Sequence, residues 1–195
     1  MRSFHLPALL LAAAIAALPP TAVAQQAAPQ GFGFQQKGAI TLDVATVDVV
    51  DAYAEPMREP NVEHLLAVSP SDAVRLWAAD RLKAGGGTGR AQVIIRDAAV
   101  REVPLQRTEG VRGWFTKDQS ERYDATLTVE VRVDGPGGYS GFTTVVVGRS
   151  TTVPEDVSLA EREKAMLALV QALAADLDAK LDEAIRTNLF RAVKL

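Results

Sequence analysis

The residues with the clearest potential for binding lie in a short polar segment that holds two adjacent large aromatic side chains. Trp114 and Phe115 are flanked by Arg112 and Lys117. Aromatic rings beside cations can bind a partner or a lipid headgroup region, whereas the alternative is that one ring packs beneath the loop as an extension of the core. Acidic neighbours offset the cations, so the segment is not strongly basic. We predict that Arg112, Trp114, Phe115 and Lys117 form a partner-binding site.

The candidates for catalysis and for zinc binding are weak. His64 would be the single histidine left if the N-terminal segment is cleaved, and the chain has no cysteine. A typical zinc site needs several such ligands, so it cannot be built here. No G-x-S-x-G motif accompanies His64, and a surface or hydrogen-bonded loop residue is the simpler interpretation. The sequence predicts no catalytic residue, no metal ligand and no cofactor.

Two further patterns look like ligand sites at first. Asp43, Asp48 and Asp51 are close in sequence but do not match the spacing of a calcium-binding loop, so solvated carboxylates on a strand are expected. The glycine-rich run at residues 85–90 follows a predicted helix and precedes a strand. A phosphate-binding loop has the opposite order, because the N-terminus of a helix must face the anion. We therefore predict a helix C-terminal glycine followed by a connector.

Residues 1–24 have the pattern of a secretory signal peptide. Arg2 provides the positive charge, residues 6–18 are almost entirely apolar, and an A-x-A cleavage site lies at residues 22–24. The apolar run is shorter than the roughly 20 residues that a membrane-spanning helix needs. We predict cleavage after Ala24, a periplasmic location and no transmembrane segment in the mature chain.

Composition bounds the remainder of the chain. Removal of residues 1–24 from the 195-residue chain would leave 171 residues, enough for one domain with a substantial core. The absence of cysteine excludes disulfides and the acylated cysteine of a lipoprotein. The formal net charge is −3, and acidic and basic residues are interspersed along the chain. This charge distribution gives no reason to expect nucleic acid as a partner. Residues 25–38 are predicted to be a flexible leader, and residues 39–195 a single α+β domain.

The first half of the domain shows one strand and one helix. The strand begins at Ile40, and its apolar phase shifts near residues 45–46, which indicates a β-bulge. Ser69 is suited to the N-cap and Pro70 to the first position of the following helix. Arg81 interrupts the apolar face of that helix.

Three strand regions follow. Residues 90–107 form the first, and residues 123–133 alternate strictly between apolar and polar side chains. Such alternation is typical of an antiparallel sheet that is covered on one face. Residues 139–152 are predicted to return beside it as a hairpin, with Phe142 and residues 145–147 as the apolar centre.

A long helix closes the chain. Ser158 and Glu161 form a capping box, and Leu159 begins the helix. Asp176 and Lys180 have the spacing of an exposed ion pair. The apolar side chains share one narrow stripe: Leu159, Met166, Val170, Leu173, Leu177, Leu181 and Ala184. The predicted order is β-α-β-β-β-α, and a two-layer α+β sandwich with both helices on one face of an antiparallel sheet would bury every apolar stripe.

Two resemblances accompany this layout. The exported leader, the β-α-β-β-β-α domain and the long C-terminal helix resemble auxiliary lipoproteins of ABC-type transport and lipid-trafficking systems in the Gram-negative envelope, although this chain lacks their lipobox cysteine. The stretches GVRGWFTKDQSERYDATLTVEV and RSTTVPEDVSLAERE are similar to uncharacterised secreted proteins of alphaproteobacteria. The second likeness covers residues 60–195 and implies no known activity. Neither assigns a role to a particular residue.

Three functional hypotheses follow from the sequence. The first is a non-catalytic periplasmic accessory protein that binds an envelope protein in transport or envelope maintenance. The second is a module that binds a small ligand or lipid in a groove between the sheet and the helices. The third is an unrecognised hydrolase that uses Ser or Asp side chains. We rank them in that order.

Overall fold

The computed structural model describes residues 32–105, 119–154 and 156–194, with only the backbone described for residues 119 and 120. The predicted signal peptide and the segment that holds Arg112, Trp114, Phe115 and Lys117 lie outside these ranges. In chain order the elements are β1 (Ile40–Leu42), β2 (Thr46–Asp51), α1 (Pro70–Arg81), β3 (Leu82–Ala84), β4 (Arg90–Asp97), β5 (Val100–Pro104), β6 (Gln119–Asp134), β7 (Ser140–Pro154) and α2 (Leu159–Asn188).

Strand β6 is the centre of the main sheet. Strand β7 pairs with it along one side, and β4 and β5 pair with successive parts of its other side, all antiparallel. The inward side chains of β6 are buried from Tyr123 to Val133, as the alternation predicts. Both helices cover this inner face and share one hydrophobic core with it. The predicted two-layer α+β class is therefore confirmed.

The sheet is mixed, so the prediction of a purely antiparallel sheet was wrong. Strand β2 pairs parallel to β4, with Val47 opposite Ala91 and Val49 opposite Val93. The physical reason is the connection: α1 lies between the two strands in the chain and packs on the inner face. A strand that returns through a crossover helix runs parallel to the strand that preceded the helix.

The predicted bulge near residues 45–46 is a complete break between two strands. Strand β1 pairs parallel to β3 in a separate two-stranded sheet, whereas β2 joins the main sheet. The far end of the described chain lies beside β1: the amide of Asp43 donates to the carbonyl of Ala192 at 2.7 Å, and the amide of Lys194 donates to Thr41 at 2.8 Å.

Both helices begin as their sequences predict. The Ser69 hydroxyl accepts from the amide of Asp72, and the Asp72 carboxylate accepts from the amide of Ser69. Ser158 and Glu161 form the same capping box at the start of α2. The stripe of α2 is buried from Met166 to Leu181, but Leu159 at its first position is exposed.

The apolar residues predicted as the centre of β7 are divided between the two faces of the sheet. Val145 and Val147 point into the core, whereas Phe142 and Val146 are 64% and 60% exposed on the outer face of the sheet.

Asp176 does not pair with Lys180 in the way the spacing suggests. Its carboxylate accepts two hydrogen bonds from Arg149 on β7, at 2.5 and 2.8 Å.

A buried ionic cluster joins the two helices. Asp178 is 1% exposed, and its carboxylate accepts hydrogen bonds from Trp77 Nε1 at 2.9 Å and Arg81 Nε at 2.8 Å. Lys37 Nζ lies 2.8 Å from its second oxygen. Arg81 also contacts Asp182 and donates to the carbonyls of Lys37 and Gly38. The cluster therefore fixes both helices and the chain that precedes β1.

Removal of a buried leucine side chain from α2 should destabilise the domain strongly. Leu173 and Leu177 are fully buried between α2 and the sheet. We expect Leu173→Ala or Leu177→Ala to lower the free energy of unfolding by about 2–5 kcal/mol, because each leaves a cavity in the core. Urea denaturation followed by circular dichroism measures this change. Parent-like denaturation of either variant would contradict the docking of α2 on the sheet.

Neutralising the buried aspartate should cost more than breaking an exposed ion pair on the same helix. We expect Asp178→Asn to lower the free energy of unfolding by about 3–5 kcal/mol at pH 7, because Arg81 loses its buried counter-charge. Asp176→Asn is the matched control, since its pair with Arg149 is exposed to solvent and should contribute much less to stability. Equal losses in the two variants would contradict the role assigned to the cluster.

The stability that Asp178 contributes should depend on pH. Burial opposes ionisation of Asp178, but the hydrogen bonds from Lys37, Arg81 and Trp77 outweigh it and lower the pKa of the carboxyl. Its contribution to stability is therefore complete above the pKa of an unfolded aspartate, about 3.9, and is lost as the pH falls further toward the folded pKa. We expect the stability difference between the parent and Asp178→Asn to shrink on acidification below about pH 4, as measured by urea denaturation across pH.

Candidate functional site

The residues singled out from the sequence do not come together as a site within the described ranges. Asp43 lies 3.6 Å from Lys194 Nζ, Asp48 accepts a hydrogen bond from Thr46, and Asp51 pairs with Arg75. In the described part of the chain, no three His, Asp or Glu side chains are grouped so that they could hold a metal ion.

His64 and the glycine-rich run each occupy a separate part of the structure. His64 lies in a single 3-10 turn at Glu63–Leu65, and its Nδ1 has no hydrogen-bond partner among the described residues. The glycines connect β3 to β4, so the run is a connector, but the prediction of a helix C-terminal glycine was wrong, because α1 ends at Arg81 and β3 (Leu82–Ala84) lies between the helix and the run. Gly89 has a φ of 82°, and a Cβ there would lie 2.3 Å from the carbonyl oxygen of Asp134. This position therefore needs glycine for close packing.

A groove of about 420 Å³ lies between the first turns of α2 and the segment before α1. We refer to it as the α2 groove. Most of its lining is apolar, and the residues come from four separate parts of the chain: Val62, Leu65, Leu66, Ala67, Val68, Glu102, Tyr123, Leu159, Arg162, Glu163, Met166 and Leu167. A groove of this size falls in the range of small-molecule sites, roughly 300–1,000 Å³.

One wall of the groove is held by a buried carboxylate. Glu63 is fully buried, and it accepts hydrogen bonds from the Tyr53 hydroxyl at 2.7 Å, Asn61 Nδ2 at 3.1 Å and the amide of Val100 at 3.0 Å. Burial opposes its ionisation, but these hydrogen bonds outweigh burial and lower the pKa of the carboxyl. The charged form thus ties the start of the 62–68 segment to β5.

Tyr123 and Arg162 line the groove, and together with the neighbouring Glu121 they form a polar trio. The Tyr123 hydroxyl donates to Glu121 Oε2 at 2.7 Å and accepts from Arg162 Nη1 at 2.6 Å. Arg162 also pairs directly with Glu121. Burial and then the hydrogen bond to Glu121 raise the pKa of the Tyr123 phenol. Burial opposes ionisation of Glu121, but the bonds from Tyr123 and Arg162 lower its pKa overall.

These shifts bear on what the groove can do. A general acid or base works best when its pKa lies near the working pH. The phenol of Tyr123 and the carboxyl of Glu121 are both shifted away from neutrality, in opposite directions. The trio is suited to joining α2 to β6 and to offering fixed polar groups beside an apolar surface.

The rim of the groove exposes two leucines. Leu65 and Leu159 are each 72% exposed. Leu66 and Leu167 lie partly buried behind them and contact the core. Two exposed leucines beside an apolar groove form a continuous apolar surface, which is typical of a binding site.

The sequence hypothesis of a ligand groove between the sheet and the helices named none of the residues that line the α2 groove. Its lining residues are far apart in the chain, and only the pairing of β5 with β6 and the docking of α2 bring them together. Two local signals pointed toward it. Leu65 and Leu66 are adjacent large apolar residues in a proline-flanked segment outside the predicted strands and helices, and Leu159 occupies the first turn of a helix, where burial is poor.

No helix in the described ranges is long and apolar enough to cross a membrane. This finding covers α1 and α2, and it leaves residues 1–31 aside because they lie outside the described ranges.

Comparison with known proteins gives distant structural neighbours. No protein-family model and no curated protein sequence matches the chain. A rare lipoprotein B from Shewanella oneidensis is 12% identical, with a TM-score of 0.40, and the match covers 73% of this chain and 94% of that one. A minor lipoprotein from Acinetobacter baumannii is 10% identical, with a TM-score of 0.37, covering 79% and 98%. An uncharacterized lipoprotein B from Nitrosomonas europaea is 13% identical, with a TM-score of 0.38, covering 75% and 86%.

These neighbours are bacterial lipoproteins, and nothing about function is carried over from them. A role in ABC-type transport and an alphaproteobacterial origin stay predictions from the sequence.

Removing the hydroxyl of Tyr123, which lines the groove, should weaken the junction of α2 and β6. We expect Tyr123→Phe to lower the free energy of unfolding by about 1–3 kcal/mol, because it leaves Glu121 and Arg162 each without one hydrogen bond. Tyr139→Phe is the control, since the Tyr139 hydroxyl has no hydrogen bond among the described residues. Urea denaturation compares the two. A loss as large in Tyr139→Phe would contradict the assignment.

Proposed function

We propose that this protein is a non-catalytic accessory protein of the bacterial envelope that binds a protein partner, and that the α2 groove is its binding site. The observation that carries the proposal is the groove itself, an apolar recess of about 420 Å³ whose rim exposes Leu65 and Leu159. Apolar side chains of a partner would fill the recess and cover the two leucines. Their apolar surface would then be removed from water, which favours binding.

The rigidity of the walls supports recognition by this groove. Glu63 holds the 62–68 segment, and the capping box of Ser158 and Glu161 begins α2 beside it. The trio of Arg162, Glu121 and Tyr123 joins α2 to the sheet. A site that is ordered before binding loses less conformational entropy when the partner arrives.

The compartment belongs to the same proposal. The signal-peptide pattern of residues 1–24 supports export, cleavage after Ala24 and a periplasmic location. Binding rather than catalysis is favoured because Tyr123, Glu121 and Arg162 hydrogen-bond to one another, and the pKa values of Tyr123 and Glu121 are shifted away from neutrality.

A small apolar ligand or lipid is the second candidate for the same groove. The volume of the groove supports this alternative. A recess of about 420 Å³ can enclose a compact ligand, whereas many protein interfaces are broad and flat. The carboxylates of Glu102 and Glu163 among the lining residues would then lie near the polar end of the ligand.

Charged substitutions at the rim should abolish binding without unfolding the protein. We propose capture of the tagged mature protein from crosslinked cells, read by mass spectrometry, with a Leu65→Lys/Leu159→Lys variant beside the parent. Both leucines are largely exposed, so stability should change by less than about 0.5 kcal/mol. We expect one dominant envelope protein with the parent and at least about a tenfold loss in the variant, since each lysine must be desolvated to bind.

Two controls sharpen the experiment. Phe190→Lys replaces an apolar side chain of similar exposure (66%) away from the groove, and it should retain the partner. Trp114→Ala/Phe115→Ala tests the predicted 112–117 site separately. Equal capture by the rim variant and the parent would contradict the groove as the site. A small molecule that co-purifies with the parent but not with the rim variant would select the ligand-binding alternative.

A further inference from the structure

Strand β7 has one edge that pairs with no strand of the described chain. It runs for 15 residues and pairs only with β6. No backbone hydrogen bond from the described residues reaches its other side. A long open edge offers a row of amides and carbonyls to another strand, so natural proteins usually protect such edges.

The register identifies the groups that point outward. The amide of Thr126 donates to Ala99 at 2.9 Å, so Thr126 points away from β7. Its cross-strand partner Gly148 must then direct its own backbone groups away from β6, toward the open edge. Because the pattern alternates, Phe142, Thr144 and Val146 also direct their amides and carbonyls outward. The same alternation places their side chains on the outer face of the sheet.

The usual protective devices are sparse along this edge. Residues 140–152 contain no proline and no lysine, and no bulge interrupts their pairing with β6. Among the described side chains, only that of Lys180 reaches an outward backbone group, with Nζ at 3.2 Å from the carbonyl oxygen of Val146. That contact is exposed. Phe142 and Val146 add apolar surface beside the unpaired groups.

The edge is complementary to itself. If a second β7 pairs antiparallel so that Phe142 lies opposite Val146, then Val146 lies opposite Phe142 and Thr144 lies opposite Thr144. This register is two-fold symmetric about Thr144, as an isologous dimer interface requires. All three residues direct their backbone groups outward, so the three pairs would form about six hydrogen bonds.

We propose that the protein forms a homodimer in which the β7 strands of two copies pair antiparallel about Thr144. The two sheets then continue as one across the dimer. Phe142 and Val146 of both copies form a four-membered apolar cluster on the outer face, and Lys180 gives up its contact with the Val146 carbonyl. Helix α2 lies on the inner face, so the added strand occupies the plane of the sheet beside β7. The α2 groove plays no part in this pairing.

A single cysteine tests the register directly, because the chain has none of its own. In the proposed dimer the two Thr144 Cα atoms lie about 5.5 Å apart, within the range that a disulfide spans. Thr144→Cys should therefore form a covalent dimer under mild oxidation. Ser150→Cys is the matched control on the same exposed edge, and its two Cα atoms would be about 40 Å apart. Crosslinking of both variants to the same extent, or of neither, would overturn the register.

Sedimentation velocity of the cysteine-free protein tests the dimer itself. We expect a concentration-dependent dimer whose dissociation constant rises by about tenfold or more in Val146→Lys and in Phe142→Lys. Met57→Lys, which is similarly exposed and lies just before the Asn61 bridge to β5 on the side of β6 opposite β7, should leave the constant unchanged. Circular dichroism confirms that each variant is folded. A parent that stays monomeric up to about 1 mM, or a dimer that tolerates both lysines, would overturn the proposal.

Discussion

The buried carboxylate of Asp178 is the interaction on which the arrangement of this protein depends. It lies on α2 where α1 and the chain before β1 meet that helix, and it receives donors from both: Trp77 and Arg81 on α1 and Lys37 from the preceding chain. An ionised group in an apolar core is tolerated only with such a complete set of partners. The position of α1 relative to α2 therefore has little freedom.

This constraint divides α2 into two parts with different roles. From Val170 to Ile185 the helix is clamped to α1 and to the sheet, and its inward side chains are buried. From Leu159 to Leu167 it lines the α2 groove, and Arg162 ties it to Glu121 and Tyr123 of β6. The Asp178 cluster and this trio together position the turns that line the groove, much as a rigid scaffold positions a binding loop.

Much of the fold could be predicted because its signals are local. Alternation along β6 and the Ser158 capping box needed no knowledge of other elements. The parallel pairing of β2 depends on where α1 packs, and Arg81 looked like a flaw in an apolar face because its partner Asp178 is 97 positions away. The residues that line the groove could not be predicted for the same reason, since its walls meet only in the folded chain.

The pairing of β1 with residues near the end of the described chain has a consequence for the order of folding. Leu42 forms a bridge with Val193, so contacts of very large sequence separation close the small sheet. Loop-closure entropy makes such contacts slow to form and places them late. While residues 192–194 are unpaired, the edge of β1 stays open to water. The native state is therefore completed only when both extremities of the domain have come together.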